Sequence, residues 1–334
     1  MKSKRFSGLA KICVFTLLIT CAAAFASSGL QTENVKTPVL APGKHFERVL
    51  IVVLENQDYT SAMSDQFLSK LASKGTSFSN FKNLYHPSYP NYLAMIAGTS
   101  FGTRSDHQIS FPNDAEHRTI ADLLDWKNYA ENYPSGVQPY LEASRGKYAR
   151  KHVPFLSFEK IQKESYGNVV SVDTKDPHNA FVTAVEMFRK DPKKFPLPRY
   201  MFYTPNLDDD GHDPFYNSGK GLQKGSHWLE TFFGTWFPWD QKEMKGTLVI
   251  VTFDESEGDD KNDRIYTVFL GDMIKSQTIN KEYNLYSVLR TIEDNFSLPQ
   301  LNSGDANAAP ITEAWKYARI YPGASRRRPS PDRL

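Results

Sequence analysis

One hydroxyl residue, Ser88, stands inside residues 85–98 (YHPSYPNYLAMIAG), in front of a proline-punctuated turn that opens into an apolar run. Pro87 and Pro90 restrict the backbone on either side of it, and Gly98 closes the run in the manner of a helix C-terminus. A serine held at a helix N-terminus faces free backbone N–H groups and the positive end of the helix dipole. Its alkoxide, or a bound phosphate, is stabilised there. Two readings of this stretch stay open: a nucleophile, or a serine that only caps a helix in a proline-rich loop.

Three other places carry polar clusters directly after apolar runs. Arg48 to Leu54 (RVLIVVL) stops at Glu55-Asn56, Arg199 to Thr204 (RYMFYT) leads into the cluster from Asn206 to His212, and Thr247 to Phe253 (TLVIVTF) stops at Asp254-Glu255. If the runs are strands of a parallel sheet, their carboxyl ends converge on one edge, where open α/β proteins bind ligands. With Ser88 added, Glu55, Asn56, Asp254 and Glu255 form an oxygen-rich set suited to one divalent metal ion. Such an ion lowers the pKa of a neighbouring hydroxyl and screens an anionic substrate, which serves phosphoryl transfer. Each piece also has a plainer reading: Glu55-Asn56 as a helix cap, Asp208 to Asp213 as a solvated turn, and residues 254–263 (DESEGDDKND) as an acidic loop or structural calcium site.

The elements needed to position these residues are legible in outline. The three runs above read as buried strands, and a helix over residues 62–74, with Met63, Phe67 and Leu71 at helical spacing, provides the first crossover. Further strands are expected near 76–81, 167–172 and 264–270. Further helices are expected over 119–126, 178–190, 226–236 and 283–296, and residues 127–166 read as an irregular, aromatic-rich cap. His107 and His152 lie in loops of this central region; His152 either reaches the substrate or packs within its loop. Alternation of strands and helices predicts an α/β fold with a mostly parallel central sheet covered by helices on both faces.

The ends read differently. Residues 1–26 combine Lys2, Lys4, Arg5 and Lys11 with an apolar segment and Ala24-Phe25-Ala26, the pattern of a cleavable signal peptide, so export to a periplasm or the exterior is expected. Cys13 and Cys21 both fall inside this leader, and the mature chain would contain no disulfide. Loss of its four positive charges takes the formal net charge from +2 to −2, which argues against a nucleic-acid partner or a strong membrane-binding surface. Residues 27–44 read as a linker, 45–320 as one domain and 321–334 as a basic disordered tail; 40% apolar and 13% aromatic residues suffice for a full core.

The segments VVLENQDY (52–59), HPSYPNYLAMIAGTS (86–100), WKNYAENYP (126–134), YARKHVPF (148–155), TPNLDDDGHD (204–213), VIVTFDES (249–256) and YSVLRTIEDNF (286–296) occur in one order along the chain. In them the sequence resembles the acid phosphatase and phospholipase C-like phosphoesterases of the alkaline phosphatase superfamily. The resemblance implies an alkaline phosphatase-like core and a metal-dependent phosphoric-ester hydrolase acting on a small phosphorylated substrate. It implies Glu55, Asn56, Asp254 and Glu255 as metal ligands and Ser88 as a nucleophile that also touches the metal. Asn91 would hold phosphoryl oxygens and His212 would contact the phosphate or assist the leaving group, with His107 in the same shell. One departure stands out: the family often carries a histidine where this chain has Leu285. The reading preferred is an acid phosphatase acting on phosphomonoesters through a phosphoserine on Ser88. A phosphodiesterase or phospholipase C, and a non-catalytic protein with a decayed site, are the alternatives.

Overall fold

A computed structural model describes residues 43–212, 220–258 and 261–316. The expected signal peptide, nearly all of the linker, and the tail lie outside these residues. The strands, in chain order, are β1 (Arg48–Leu54), β2 (Thr76–Phe78), β3 (Phe81–Lys82), β4 (Trp126–Glu131), β5 (Ser144–Arg145), β6 (Tyr148–Ala149), β7 (Val169–Val172), β8 (Tyr200–Thr204), β9 (Thr247–Phe253), β10 (Thr267–Leu270), β11 (Gln277–Ile279) and β12 (Tyr283–Asn284). Eight of them form the central sheet in the order β11-β2-β10-β9-β1-β8-β4-β7, and only β10 runs against its neighbours. The pairs β3–β12 and β5–β6 are small separate ribbons.

The centre of the sheet is apolar on both sides, as the continuous runs predict. Every residue of β9, and all of β1 after Arg48, is buried. The helices are α1 (Tyr59–Ser64), α2 (Gln66–Lys74), α3 (Ser88–Ala97), α4 (Glu159–Glu164), α5 (Ala180–Lys190), α6 (Gly221–Thr231), α7 (Leu285–Phe296) and α8 (Ser303–Asn307). They cover both faces. Phe202 of β8 meets Tyr92 of α3, whereas its neighbour Tyr203, pointing to the opposite face, meets Phe181 of α5 and Trp228 of α6.

Several expectations are corrected. The helix expected over 62–74 is two helices broken at Asp65, whose carboxylate accepts from Leu68 N at 2.9 Å and so caps α2. The helix expected over 119–126 is only a 3-10 turn at Ile120–Asp122 with a capping box from Thr119, and the chain enters β4 at once. β4 lies in what reads as an irregular cap because its buried Asn128 and Glu131 break the apolar run. Asn128 donates to Phe202 O, while Glu131 accepts from Tyr203 Oη, Trp228 Nε1 and Asn206. The strand expected near 76–81 is interrupted by a turn at Ser79-Asn80.

Candidate active site

The three central strands β9, β1 and β8 are adjacent and parallel, with Leu54 opposite Phe253 and Val52 opposite Tyr203. This register brings the polar residues that follow them to one edge. Asp254 N donates to Leu54 O, and Glu55 N donates to Asp210 O. Asn56 takes a left-handed backbone with φ 45°, a conformation that Asn tolerates better than most residues. The turn aims its N–H at Asp254 Oδ1 (3.1 Å) and its Nδ2 at Glu255 Oε1 (3.2 Å).

Ser88 is the first residue of α3, after Pro87 at the N-cap, and is buried. Its Oγ lies 3.0 Å from Glu55 Oε2 and 3.0 Å from Glu255 Oε1, and its hydroxyl donates to one of the two. The N-cap residue Pro87 provides no side-chain cap, and the Ser88 hydroxyl faces the acidic edge. The helix that carries it ends at Gly98 with φ 68°, where a Cβ would fall 1.8 Å from Asp305 Oδ1.

Three residues that sequence reasoning passed over join this cluster. Lys151 Nζ lies 3.0 Å from Ser88 Oγ, 3.2 Å from Glu55 Oε2 and 3.3 Å from Asp106 Oδ2. Asp106 also accepts from Tyr89 N through Oδ1 (3.0 Å), and His86 Nδ1 lies 2.7 Å from Glu255 Oε2. Lys151 sits in YARKHVPF and His86 in HPSYP, so both motifs carried a signal.

The remaining expected residues are distributed unevenly. His152 is buried, stacks on Tyr92 and places Nε2 2.9 Å from Glu55 Oε1. His212 is half-exposed, with Nδ1 3.9 Å from Glu55 Oε2. Asn91 Oδ1 accepts from Leu84 N and Tyr85 N and its Nδ2 donates to Tyr85 O, so this side chain braces the loop before Ser88. His107 is exposed beside Asp106, and its ring forms no hydrogen bond or ion pair with the described residues. Leu285 is fully buried in the apolar core at the start of α7.

The electrostatics are dominated by crowded acids. Burial, then repulsion from Glu55 and Glu255, pushes Asp254 well above the usual carboxylate range; burial and Glu55 raise Asp210 in the same way and take Glu255 up to about 7. Glu55 goes the other way. Burial opposes its charge, but Lys151 and His152 beside it overcome that and hold it well below the usual range. Asn56 Oδ1 and Asp254 Oδ2 are buried without a hydrogen-bond partner among the described residues. Among the described residues no three carboxylate, imidazole or thiol groups form a ready-made metal cage. The set that converges is a mixed one of amide, hydroxyl and carboxylate oxygens that includes these orphaned acceptors, and its chemistry fits a hard divalent cation.

A sequence profile of the Phosphoesterase family matches residues 59–299. The chain belongs to this family. It is 35% identical over 302 residues to a "Probable acid phosphatase" of Kluyveromyces lactis, covering 86% of this chain and 66% of that protein. It is 32% identical over 278 residues to a "Phosphatidylinositol-3-phosphatase" of Mycobacterium tuberculosis, covering 81% and 83%. A "Phosphate-repressible acid phosphatase" of Penicillium chrysogenum is 31% identical over 87% of this chain and 67% of its own length. This family member thus spans about two thirds of the length of the fungal relatives. The fold is similar to that of a protein in the alkaline phosphatase superfamily from Vibrio parahaemolyticus, which superposes with a TM-score of 0.53 at 14% identity, over 81% of this chain and 72% of that one. Among the described residues no helix is long and apolar enough to cross a membrane.

Proposed function

We propose that this chain is an exported, metal-dependent acid phosphatase that hydrolyses phosphomonoesters through a phosphoserine on Ser88. The observation that carries the reading is Ser88 Oγ at the N-terminus of α3, within 3.0 Å of carboxylates from the ends of both β1 and β9. The hydroxyl has acceptors for its proton on one side and the positive end of the α3 dipole on the other, although the Tyr89 N–H is already taken by Asp106 and Pro90 has none.

A divalent cation held by Glu55, Asn56, Ser88, Asp254 and Glu255 would neutralise charge on the serine oxygen and the phosphoryl group. Ser88 gives its proton to one of the carboxylates it faces, and its oxygen forms a bond to phosphorus while the ester P–O bond breaks in line. The electron pair departs with the alcohol oxygen, which takes a proton from His212, half-exposed at the mouth of the cluster. Water then displaces Ser88 from phosphorus, and inorganic phosphate and the free hydroxyl are regenerated.

Monoester chemistry is supported by the three relatives named above, two acid phosphatases and a phosphatidylinositol-3-phosphatase. The test is phosphate release from a panel of phosphomonoesters and phosphodiesters, comparing wild type with Ser88→Ala. Turnover of monoesters is expected to dominate and to vanish in the folded variant. A Ser88→Ala protein that keeps substantial activity would remove the serine from the mechanism, and faster hydrolysis of diesters would overturn the substrate class.

A further inference from the structure

We propose that Lys151 is a catalytic residue, the cation that stabilises Ser88 Oγ as its proton leaves and again when water releases the phosphoryl group. The inference rests on the phosphoserine reading above and adds to it a residue in direct contact with the reacting oxygen.

The geometry has three parts. First, the turn Arg150–His152 is anchored independently of the acids: the buried Arg150 guanidinium donates to Leu141 O at 2.7 Å and to Leu156 O at 3.0 Å. Secondly, the Lys151 ammonium has three hydrogens and three acceptors, Ser88 Oγ, Glu55 Oε2 and Asp106 Oδ2, at 3.0, 3.2 and 3.3 Å. Thirdly, Asp106 ties this ammonium to Tyr89 N, in the same helical turn as Ser88.

A lysine serving only to neutralise Glu55 has no need of the serine. Here the ammonium donates to Ser88 Oγ, occupies one lone pair and leaves the hydroxyl proton to point at Glu55 or Glu255. When that proton moves to the carboxylate and Oγ bonds to phosphorus, the ammonium faces the charge that develops on Oγ. When water attacks and the Oγ–P bond breaks, the electron pair returns to Oγ beside the same ammonium. Lys151 gains and loses no proton in either half-reaction. Asp106, which does not touch Ser88 Oγ, acts as a positioning residue through Lys151.

The experiment compares full-length wild type, Lys151→Met and Asp106→Asn with p-nitrophenyl phosphate. It records kcat, KM, bound metal, and the affinities for orthovanadate as a five-coordinate mimic and for inorganic phosphate as a ground-state ligand. Lys151→Met is expected to lower kcat by about 10²- to 10³-fold and to weaken orthovanadate far more than phosphate, with bound metal unchanged. Asp106→Asn should shift the same two quantities in the same direction by a smaller factor. Retention of kcat and orthovanadate affinity within about threefold would overturn the proposal, as would a loss of activity that tracks loss of bound metal, since Lys151 would then only hold Glu55. Lys151→Gln is read by the same criteria if the methionine variant does not fold. Persistence of full activity in Ser88→Ala would instead defeat the underlying serine reading, an outcome distinct from any result at Lys151.

Discussion

His152 Nε2 lies 2.9 Å from Glu55 Oε1, beneath a stacked Tyr92 ring, so the imidazole is sandwiched between the core and the carboxylate that ends β1. Its neighbour Lys151 takes the other oxygen of the same carboxylate. One short turn therefore fixes both oxygens of Glu55, and His152 supports that residue from behind.

His152→Ala should remove the neighbour of Glu55 Oε1 and leave the carboxylate held only through Oε2, by Lys151 and Ser88. The expected loss is about 10- to 100-fold in metal affinity or turnover, by analogy with removal of groups that orient a metal ligand. His152→Gln, whose amide can donate to Glu55 Oε1, should recover part of it. Steady-state kinetics together with metal titration would check this, and unchanged behaviour of the alanine variant would show that Glu55 needs no such support.

Orphaned Asn56 Oδ1 and Asp254 Oδ2 motivate a second expectation. Chelation should lower turnover at least tenfold, and because a bound ion stabilises only the folded chain, it should lower the melting temperature as well. The contribution is roughly 2.7 kcal/mol when free metal stands at 100 times its Kd. Scanning calorimetry with and without added divalent ions reads the effect, and a melting temperature indifferent to chelator would count against the site.

Glu293, buried in α7 beside Asp305, gives stability a pH dependence unrelated to the active site. Burial first, and the Asp305 carboxylate second, push its carboxyl up to about 9, whereas an unfolded chain would release the proton near 4.5. The folded state thus binds the extra proton between those values. Stability is fully present at acid pH and is lost as pH rises through the window, by up to ~1.4 kcal/mol per pH unit from this group. Glu293→Gln, neutral throughout, should flatten that slope in denaturation curves measured from pH 5 to 8. An equally steep slope in the variant would assign the dependence elsewhere.

Leu285 bears on the idea of a decayed site. It is wholly buried among apolar residues, so Leu285→His should place a polar ring in the core at a cost of about 1–3 kcal/mol. No gain in rate is expected. A tenfold or larger increase in phosphate release would reverse this conclusion and mark the leucine as the loss of a working ligand.

The chain announces its central strands because β1 and β9 are buried on both faces, and a strand in that position must be apolar at every residue. β4 does not follow this rule. The bonds of its buried Asn128 Nδ2 and Glu131 go to partners more than 70 residues away, so nothing local distinguishes these two from exposed polar residues. Likewise the break between α1 and α2 depends on Asp65, whose capping role is weaker in sequence than the apolar spacing that runs across it.

Glu55-Asn56 and Asp254-Glu255 could be recognised from sequence alone, since each pair directly follows its strand and strand ends of a parallel sheet must share an edge. Which loop residues meet them was decided only by the tertiary structure. Lys151 reaches Ser88 and Glu55, His86 reaches Glu255, and Asp106 joins them from a third segment through Lys151. Burial periodicity specifies how each segment faces the core, but it carries no term for where two distant loops close on one another. That depends on the strand order β9-β1-β8 and on the anchoring of the Arg150–His152 turn, which together turn a row of acidic strand ends into a matched set around one serine oxygen.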